Sequence, residues 1–515
     1  MKSAKTDLLR LLQKAFSKSL KKTSGTPAKQ DESRRKFIKG SLLGAGAIVG
    51  SSVLANTRFL DRFPDLPKDI KIGILGGGVA GLHAAYILKN AKLKATIYEA
   101  SKRSGGRMYT AKDLLGKGIT TELGGEFVDS IHEDILMLAK KFKLPLIDTK
   151  KDSKLKKQTF YFGGKKYDFN DLVKALAPYV KSIKADIDSL PENISYKNFG
   201  NADKWDHMSI ESYLDEKGIT GWLKQLLDVA FTTEYGLDIK EQSSLNMLTL
   251  FDPALPDKDL FGESDERYKI EGGNQRVVDE LAKRVDKIEL EHEVVEIENE
   301  GDGFLVSFSN GKKLSFDHLI CTIPFTKLRT IKLSLNEISE VKKKCIAELG
   351  YGMNAKMFAG YTTRYWRKQG ASGQIMTDMP FQLGWDNSQL QKGTAGGYTF
   401  YTGGVMTDKM IDQPVEKKVL EYIDQLDKVF PGAAKNYNGK NGIFYWPTHP
   451  HTMASYACYK PGQWTTIRGA ESEPIGNMLF AGEHCSADYQ GYMNGGAETG
   501  RVAAETLIKM IKRKK

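Results

Sequence analysis

Residues 69–82 of this chain have the sequence Asp69-Ile70-Lys71-Ile72-Gly73-Ile74-Leu75-Gly76-Gly77-Gly78-Val79-Ala80-Gly81-Leu82. This stretch decides the fold, because it predicts a short buried strand over 69–75, a glycine-rich turn and then a helix with apolar periodicity. A second strand is predicted over 94–99. Strand, glycine turn, helix and strand in this order are the context in which G-x-G-x-x-G indicates a dinucleotide-binding site.

Each residue of this motif has its own physical role. Gly76 permits a tight turn, Gly78 lets the backbone approach a pyrophosphate, and Gly81 lets the helix pack closely against the strand. The N-terminus of the helix offers N–H groups to the phosphates. Glu99 ends the second strand, where its carboxylate can accept hydrogen bonds from both ribose hydroxyls. A similar glycine pattern at 350–352 lacks the preceding strand and the following helix, so no second nucleotide site is predicted.

Length, charge and cysteine usage exclude several classes of function. The 515 residues suffice for two packed domains. The formal net charge is +12, but residues 1–55 contain 12 Lys and Arg against 3 Asp and Glu, which leaves a net charge of +3 on the rest. The chain after residue 55 therefore offers no electrostatic basis for nucleic-acid binding. The four cysteines form no C-x-x-C pair, so we expect neither a metal site nor a redox-active dithiol.

The N-terminal region is predicted to be an export signal. Arg34 and Arg35 lie in the segment S-R-R-K-F-I-K, which resembles the twin-arginine motif, and an uncharged run over 40–57 places the small residue Ala55 where cleavage requires one. We therefore expect residues 1–55 to be a leader that binds the twin-arginine export machinery and directs the protein to the periplasm or otherwise out of the cytoplasm. The run is weakly apolar and shorter than the ~20 residues of a membrane helix.

Besides an accidental Arg-Arg pair, two alternatives stay open for this region. The first is an uncleaved leader that anchors the protein to the membrane. The second concerns Leu8, Leu9, Leu12 and Phe16, whose helical spacing with intervening basic residues would suit an amphipathic helix bound to a membrane surface. The twin-arginine route carries folded proteins, so its use also suggests a cofactor acquired in the cytoplasm before export.

Further motifs occur in the order typical of the flavin amine oxidases, a family of monoamine, polyamine and L-amino acid oxidases that this chain resembles over roughly 68–512. The resemblance is carried by E-A-S-K-R-S-G-G-R at 99–107, E-L-G-G at 122–125, Y-K-I-E-G-G at 268–273, C-T-I-P at 321–324, F-A-G-E at 480–483 and Q-G-Y-M-N-G-G at 490–496. It implies an α/β protein whose Rossmann-like FAD-binding domain, of the two-dinucleotide-binding type, is interleaved with an α+β substrate domain. The FAD-binding segments would be 66–130, 268–330 and 445–515, and the substrate-binding segments 131–267 and 331–444.

The resemblance also implies which residues hold the nucleotide part of FAD. Besides the fingerprint glycines and Glu99, these are Arg103 and Arg107, which approach the pyrophosphate and the flavin edge. The planar guanidinium group suits phosphate oxygens. The backbone of Val294 is expected to contact the adenine.

Five more residues are implied at the flavin ring. Gly124 and Gly125 would lie beside it, where larger side chains would collide with the ring. Glu483, which follows Gly482, would accept a ribityl or ribose hydroxyl. The last helix is predicted from about Gly491 to Lys512, and its first turn, which contains Met493, would point its positive end at the edge of the ring where negative charge develops.

Four residues are implied in the chemistry or in substrate contacts. Lys356 matches the family lysine that holds a water at flavin N5 and assists the reaction with oxygen, and an exposed strand lysine is the alternative. Tyr492 matches one wall of the aromatic cage that aligns the amine in front of the flavin. Trp464 and Tyr456 are candidates for the facing wall, and packing in the core is the alternative for both.

Departures from the family pattern are also informative. Ala454 occupies the position of the cysteine that attaches flavin covalently in some members, so we expect non-covalent FAD. Phe127 stands where snake-type amino acid oxidases carry an arginine for the substrate carboxylate. Asp129 stands where plant-type polyamine oxidases carry an active-site glutamate, and Glu126 is acidic as well. These two carboxylates favour a cationic amine, unless they are ordinary surface groups.

The activity implied is FAD-dependent oxidation of a small-molecule amine to an imine, which hydrolyses to a carbonyl compound, while molecular oxygen is reduced to hydrogen peroxide. No metal or protein nucleophile is needed, because the cofactor carries the chemistry. An L-amino acid oxidase with a different carboxylate clamp is the alternative within the class. A flavin-dependent desaturase or isomerase and a non-catalytic flavoprotein are the alternatives outside it.

Overall fold

A computed structural model describes residues 7–24, 69–152, 154–156, 158–251 and 265–513. The twin-arginine motif and the expected cleavage site at Ala55 lie outside the described residues. No helix among the described residues is both long enough and apolar enough to cross a membrane.

A parallel sheet forms around the strand Ile72–Leu75, which the fingerprint sequence predicts and which is buried at every position. Each pair of adjacent strands in this sheet is parallel. The order of the five strands is Met478–Phe480, His318–Cys321, Ile72–Leu75, Ala95–Tyr98 and Lys287–Glu289. This sheet therefore gathers strands from three distant parts of the chain.

Two helices cover one face of this sheet and set the geometry of the nucleotide end. Val79–Asn90 follows the glycine turn, and the last helix, Met493–Arg513, packs directly against it. A Cβ at Gly500 would lie 2.2 Å from the Ala80 carbonyl oxygen. Only glycine allows this approach of the two helices, which brings the N-terminus of each to the same side of the sheet.

A smaller sheet packs against the other face of the parallel sheet, through Phe308 and Phe316, whose rings lie 5.0 and 5.5 Å from that of Tyr98. Its strands follow the order Lys313–Phe316, Gly303–Phe308, Val294–Glu300 and Lys332–Ser334. Two antiparallel pairs of short strands complete this half: Thr110–Lys112 with Thr120–Glu122, and Leu146–Asp148 with Tyr268–Ile270.

The other half is built on a seven-stranded sheet, one strand of which, Asn354–Tyr361, is buried throughout. The helix Val415–Val429 packs on this sheet, and the core between them is rich in aromatic residues. The strand order is Tyr437–Tyr445, Asn354–Tyr361, Gly396–Gly403, Leu383–Asp386, Ile375–Thr377, Thr159–Phe162 and Lys165–Tyr167.

Helices surround both halves, and one of them reaches the site described below. Gly221–Tyr235 ends at Gly236, whose φ of 77° is left-handed and terminates the helix. The remaining helices are Glu133–Lys141, Phe169–Leu176, Val180–Asp188, Asp203–Asp206, Ile210–Glu216, Leu245–Leu248, Gln275–Ala282, Phe325–Leu328, Glu340–Glu348, Tyr365–Lys368, Met406–Met410, Ala433–Asn436 and Gln463–Thr466.

The described part of the predicted leader is a helix, Asp7–Ser24, that packs into the body. No residue from 11 to 20 is exposed, and Phe16 is fully buried with its ring stacked 5.2 Å from Phe251. Ser19 Oγ donates a 2.5 Å hydrogen bond to the Val173 carbonyl. The helical spacing in this segment therefore forms an intramolecular interface in this structure.

Candidate active site

The main cavity of the described residues has a volume of about 350 Å³ and runs between the two halves, a size typical of ligand sites. Residues from both sheets line it, including most of the predicted cofactor and substrate residues. Those that line it are Gly76, Gly78, Glu99, Arg103, Arg107, Gly124, Gly125, Glu126, Asp129, Val294, Lys356, Tyr456, Gly482, Glu483, Tyr492 and Met493. Gly81 and Trp464 do not.

The nucleotide end follows from the glycine turn. Gly76 has a φ of 106°, and a Cβ at Gly81 would lie 2.1 Å from the Gly76 carbonyl oxygen, so both positions require glycine. Nothing lies within 4 Å of a Cβ placed on Gly78. The backbone there is open to the cavity, as an approaching pyrophosphate requires.

The Glu99 carboxylate is held in place at the nucleotide end by two backbone N–H groups. Its Oε2 accepts a 2.7 Å hydrogen bond from Gly77 N–H, and its Oε1 accepts one of 2.8 Å from Ser101 N–H. Each carboxylate oxygen keeps acceptor capacity for a ribose hydroxyl. The open Gly78 face, this carboxylate and the N-termini of two long helices together fit a dinucleotide such as FAD.

The two arginines are fixed in different ways. Arg103 donates to the carbonyl oxygens of Ser104 and Gly106 at 3.2 and 2.5 Å. Arg107 donates to the Ser455 carbonyl at 2.6 Å and forms a 2.8 Å ion pair with Glu483. This ion pair links the segment after the second strand to the short turn Glu483–Cys485, which follows the strand Met478–Phe480.

Gly124 and Gly125 are required by the protein itself. A Cβ on Gly124 would lie 1.8 Å from the Arg107 carbonyl oxygen, and one on Gly125 would lie 2.7 Å from the Met493 side chain. The family resemblance explains these glycines by a flavin ring that would lie beside them. The close packing of Arg107 and Met493 is an additional and sufficient reason.

A buried charge cluster lies beside this loop. Lys356 Nζ donates to the carbonyl oxygens of Glu122 and Gly124 at 3.2 and 2.9 Å and to Glu126 Oε2 at 2.9 Å. An ammonium group has three N–H donors, so all three are engaged by protein acceptors. Lys356 is 8% exposed, which excludes the interpretation of an exposed strand lysine.

Glu126 is shared by a second lysine that the sequence analysis missed. Its Oε1 accepts hydrogen bonds from Lys269 Nζ at 2.8 Å and Trp385 Nε1 at 3.0 Å. Burial alone would raise the pKa of Glu126, but the two ammonium groups lower it to about 2. The group of Lys269, Glu126 and Lys356 therefore carries a net charge of +1.

Asp129 lines the cavity but its carboxylate is engaged with protein groups. Oδ1 accepts a 2.8 Å hydrogen bond from Glu266 N–H, and Oδ2 lies 3.2 Å from His132 Nε2. His132 Nδ1 accepts from Asp129 N–H at 3.0 Å, so Nε2 carries the proton, and burial lowers the pKa of His132 to about 3. The neutral ring of His132 packs edge-on, at 4.7 Å, against Tyr492. Asp129 thus supports Tyr492 through His132.

The prediction that Trp464 forms a wall of an aromatic cage is wrong. Its indole N–H donates to Asn246 Oδ1 at 2.9 Å, its ring packs 5.3 Å from Tyr459, and only 2% of the residue is exposed. The short helix Gln463–Thr466 begins after Gly462 and directs this side chain into the core. Satisfaction of the indole N–H by a buried amide is typical of a structural tryptophan.

The aromatic walls come instead from residues that the sequence analysis did not single out. Trp385, Tyr401 and Trp446 line the cavity with the predicted Tyr456 and Tyr492. The Tyr401 and Tyr456 hydroxyl oxygens are 2.9 Å apart. Tyr401 is the cross-strand partner of Lys356, so the alternation of the strand Gly396–Gly403 was the signal that could have identified it.

Glu234 is a further acidic residue of the cavity that sequence analysis missed. It lies at the end of the helix Gly221–Tyr235, is 1% exposed and lines the cavity next to Thr233. The Thr233 carbonyl accepts a 3.1 Å hydrogen bond from the Tyr456 hydroxyl. The face of a helix that meets a cavity depends on how the helix packs, so spacing alone did not reveal Glu234.

Comparisons with known proteins agree with this architecture. A model of the family "Flavin containing amine oxidoreductase" matches residues 79–508. Amine oxidase [flavin-containing] A of Equus caballus is 23% identical to this chain over 465 residues, and the match covers 85% of each chain. Amine oxidase [flavin-containing] B of Canis lupus familiaris is 25% identical over 466 residues, and the match covers 84% of this chain and 85% of that one.

Two solved structures are similar in fold. Cyclohexylamine oxidase from Brevibacterium oxydans IH-35A has a TM-score of 0.76 and 21% identity, and the match covers 86% of this chain and all of that one. Putrescine oxidase bound to putrescine has a TM-score of 0.72 and 18% identity, with coverage of 85% and 99%.

Proposed function

This chain belongs to the flavin-containing amine oxidoreductase family and is an FAD-dependent amine oxidase, and from that premise we propose how its own residues perform the reaction. FAD, when bound, would supply the hydride acceptor for the carbon next to the amine nitrogen and the two electrons that reduce oxygen to hydrogen peroxide. Water then hydrolyses the imine to a carbonyl compound and ammonia or a smaller amine. The single observation that carries the proposal is the buried lysine–glutamate–lysine group beside the aromatic cavity.

We assign the reacting end of the cavity to Lys356, Tyr492 and the loop of Gly124 and Gly125. An amine must be neutral to lose a hydride from its neighbouring carbon, because an ammonium group withdraws electrons from that carbon. A nearby net positive charge lowers the pKa of an ammonium group. The +1 charge of the group around Glu126 therefore favours the neutral amine at this end.

The cofactor contacts follow from the same arrangement. Glu99 receives the ribose, the glycine turn and Arg103 receive the pyrophosphate, and Arg107 with Glu483 and the start of the last helix at Met493 support the flavin end. Val294 lines the cavity at the nucleotide end together with His292 and Glu293, which supports its assignment to the adenine. Ala454 offers no thiol for a covalent flavin link.

An L-amino acid oxidase is the second candidate, and the charges of the cavity disfavour it. Such an enzyme needs a cation for the substrate carboxylate. Among the described residues that line the cavity, the cationic side chains are Arg103, Arg107, Lys327 and Lys356. Arg103 is held by backbone carbonyls, and Arg107 and Lys327 are paired with Glu483 and Glu293. Lys356 donates its three N–H groups to protein acceptors.

The proposed activity is tested by following peroxide release on a panel of amines and L-amino acids, and by bleaching of the flavin absorbance without oxygen. We expect amines to bleach the flavin and L-amino acids to leave it oxidised. Rapid bleaching by L-amino acids alone would favour the second candidate. An unbleached flavin with every compound would contradict both.

We also propose export through the twin-arginine route, on the sequence of residues 33–57. Replacing Arg34 and Arg35 with Lys should retain the protein in the cytoplasm with its FAD bound. An unchanged periplasmic yield of the Lys–Lys variant would contradict this route. Retention of the wild-type chain in the membrane fraction would favour the uncleaved anchor.

A further inference from the structure

Residues 446–452 border the nucleotide end of the cavity and are fixed at both of their ends. The Trp446 indole N–H donates to the Leu123 carbonyl at 3.0 Å, and the Thr452 carbonyl accepts a 2.6 Å hydrogen bond from the Thr326 hydroxyl. Four residues of this segment line the cavity: Trp446, His449, His451 and Thr452. The segment therefore presents two histidines to the space that the cofactor would fill.

Each of these histidines has a ring nitrogen that no described protein group engages. His449 Nδ1 contacts the Thr452 hydroxyl oxygen at 3.2 Å, and its Nε2 has no hydrogen-bond partner among the described residues. His451 Nδ1 is buried and also has no partner in the described part of the chain. An imidazole nitrogen of this kind, once protonated, can donate a charge-assisted hydrogen bond to an anion in the cavity.

The other charged side chains that line the nucleotide end cancel one another. Glu293 forms a 3.1 Å ion pair with Lys327, and Glu99 and Arg103 are the charged residues of opposite sign nearest to His449. Burial and the positive charge of Arg103 lower the pKa of His449 despite the opposite effect of Glu99, so its ring is neutral at pH 7. The pyrophosphate of FAD brings two negative charges, against which two helix N-termini offer only about half a positive charge each.

We propose that His449 and His451 bind the pyrophosphate of FAD as imidazolium groups, so that the protein takes up protons when FAD binds and holds it less tightly as the pH rises. A negative group beside an imidazole favours the charged form of the ring. In the protein without FAD, Arg103 opposes that form, and the pyrophosphate reverses the balance. The proposal adds two cofactor ligands and is independent of which amine the enzyme oxidises.

The test measures how tightly FAD is held and does not depend on turnover. The holoenzyme is diluted at pH values from 5.5 to 8.5 and at constant ionic strength, and released FAD is quantified by the fluorescence that it regains. We expect the dissociation constant at pH 8.5 to exceed that at pH 6 by about tenfold or more, the lower range for the effect of an opposite charge on a neighbouring histidine. A constant value across this range would overturn the proposal.

Two double variants separate these histidines from other groups that titrate in the same range. His449→Asn combined with His451→Asn removes both charges, so FAD should be held weakly and with almost no dependence on pH. His449→Lys combined with His451→Lys keeps a positive charge throughout, so this variant should hold FAD more tightly than the wild type at pH 8.5. A wild-type pH dependence in the Asn variant would overturn the proposal.

His292→Asn is the matched control, because His292 is the third histidine among the described residues that line the cavity. Its Nδ1 contacts the Leu290 carbonyl oxygen at 2.7 Å and its Nε2 contacts Lys312 Nζ at 3.1 Å, which leaves no ring nitrogen for a phosphate. This variant should keep the wild-type pH dependence, and an equal loss of that dependence here would overturn the assignment. If the double variants do not fold, the single variants His449→Gln and His451→Gln decide. Each should reduce the pH dependence, and no reduction in either would overturn the proposal.

Discussion

Lys356 Nζ lies 2.9 Å from Glu126 Oε2, and both groups are buried. Lys269 holds the other carboxylate oxygen from 2.8 Å. A buried carboxylate between two ammonium groups is strongly coupled to both, because the interior screens their charges poorly. The ionisation of Glu126 is therefore part of what keeps the loop of Gly124 and Gly125 in place.

Replacing Glu126 with Gln should destabilise the protein strongly. Two buried ammonium groups would lose their shared counter-charge, and breaking a buried pair in this way costs about 3–5 kcal/mol. Thermal and urea unfolding at pH 7 measure the loss. Glu280 forms a partly exposed pair with Lys283, so Glu280→Gln is the control and should cost less than about 1 kcal/mol. A small loss in both variants would contradict the buried coupling.

The lowered pKa of Glu126 also predicts that the folded protein loses stability in acid. The pKa of Glu126 is about 2 in the folded protein, against an ordinary value of 4.5, so its ionised form stabilises the fold above pH 4.5. That contribution, about 3 kcal/mol, should be lost as the pH falls from 4.5 toward 2. Unfolding measured at pH 6, 5, 4 and 3 should show a steeper decline for the wild type than for Glu126→Gln.

Glu122 should have the opposite effect on how the stability of the fold depends on pH. Burial raises its pKa to about 7, although Asn274 N–H and the Thr110 hydroxyl, which donate to it, act to lower the pKa. Its protonated form stabilises the fold below pH 4.5, and this stability is lost as the pH rises through about 7. Glu122→Gln should remove most of that decline, so that the variant loses less stability than the wild type between pH 5 and 8. The exposed Glu133→Gln serves as the control, and an identical decline in all three proteins would contradict the assignment.

The N-terminal helix should contribute to the stability of the full chain. Phe16 is buried against Phe251, and truncation of a buried phenylalanine costs about 3–5 kcal/mol. Phe16→Ala should therefore lower the unfolding midpoint, whereas the half-buried Lys14→Ala should change it little. Unchanged midpoints in both variants would mean that the helix does not pack in solution. Intact-mass measurement of the exported protein would show whether cleavage removes this helix.

Local motifs predicted the nucleotide end well, because strand, turn, helix and Glu99 are close in sequence and each position has a local reason. The charge cluster and the aromatic walls were predicted in part. Lys356 and Tyr492 follow family motifs, whereas Lys269 meets Glu126 only through tertiary packing across 143 positions. Trp464 shows the converse error, since an aromatic residue near a motif was directed into the core by the turn at Gly462.

Glu234 illustrates the same limit. Its helix was predictable from periodicity, but the direction of its last turn depends on packing against Asn354, whose side-chain amide donates to the Thr233 carbonyl at 3.2 Å. Sequence spacing indicates which residues share a face of a helix, and tertiary contacts decide which face meets the cavity.

The FAD should be released intact when the protein is denatured in acid. Ala454 is buried and offers no sulfur for a thioether, and Cys458, the nearest cysteine in sequence, is buried with its side chain against Asn246. Mass spectrometry of the soluble fraction should find FAD, and the precipitated polypeptide should be colourless. Flavin that stays with the polypeptide would contradict non-covalent binding.

Lys356→Met should mainly slow the reaction of the reduced enzyme with oxygen. If the ammonium group lies where negative charge develops on oxygen, as the family resemblance implies, loss of this preorganised electrostatic partner should cost about 10²–10³ in rate. All three of its N–H donors are engaged in the structure, so contact with oxygen or water requires one of them to be released. Anaerobic reduction should change much less at a pH where the bound amine is neutral in both proteins. Stopped-flow absorbance separates the two half-reactions.

Lys269→Met is the matched control for Lys356, because it removes a second ammonium group from the same carboxylate but from a side chain that does not line the cavity. If the position of the charge matters, reoxidation should slow far more in Lys356→Met than in Lys269→Met. Equal slowing in both would assign the effect to the net charge of the cluster instead. If reduction collapses in Lys356→Met while reoxidation is unchanged, Lys356 positions the substrate. If neither half-reaction changes, Lys356 has only a structural role in holding Glu126 and the glycine loop.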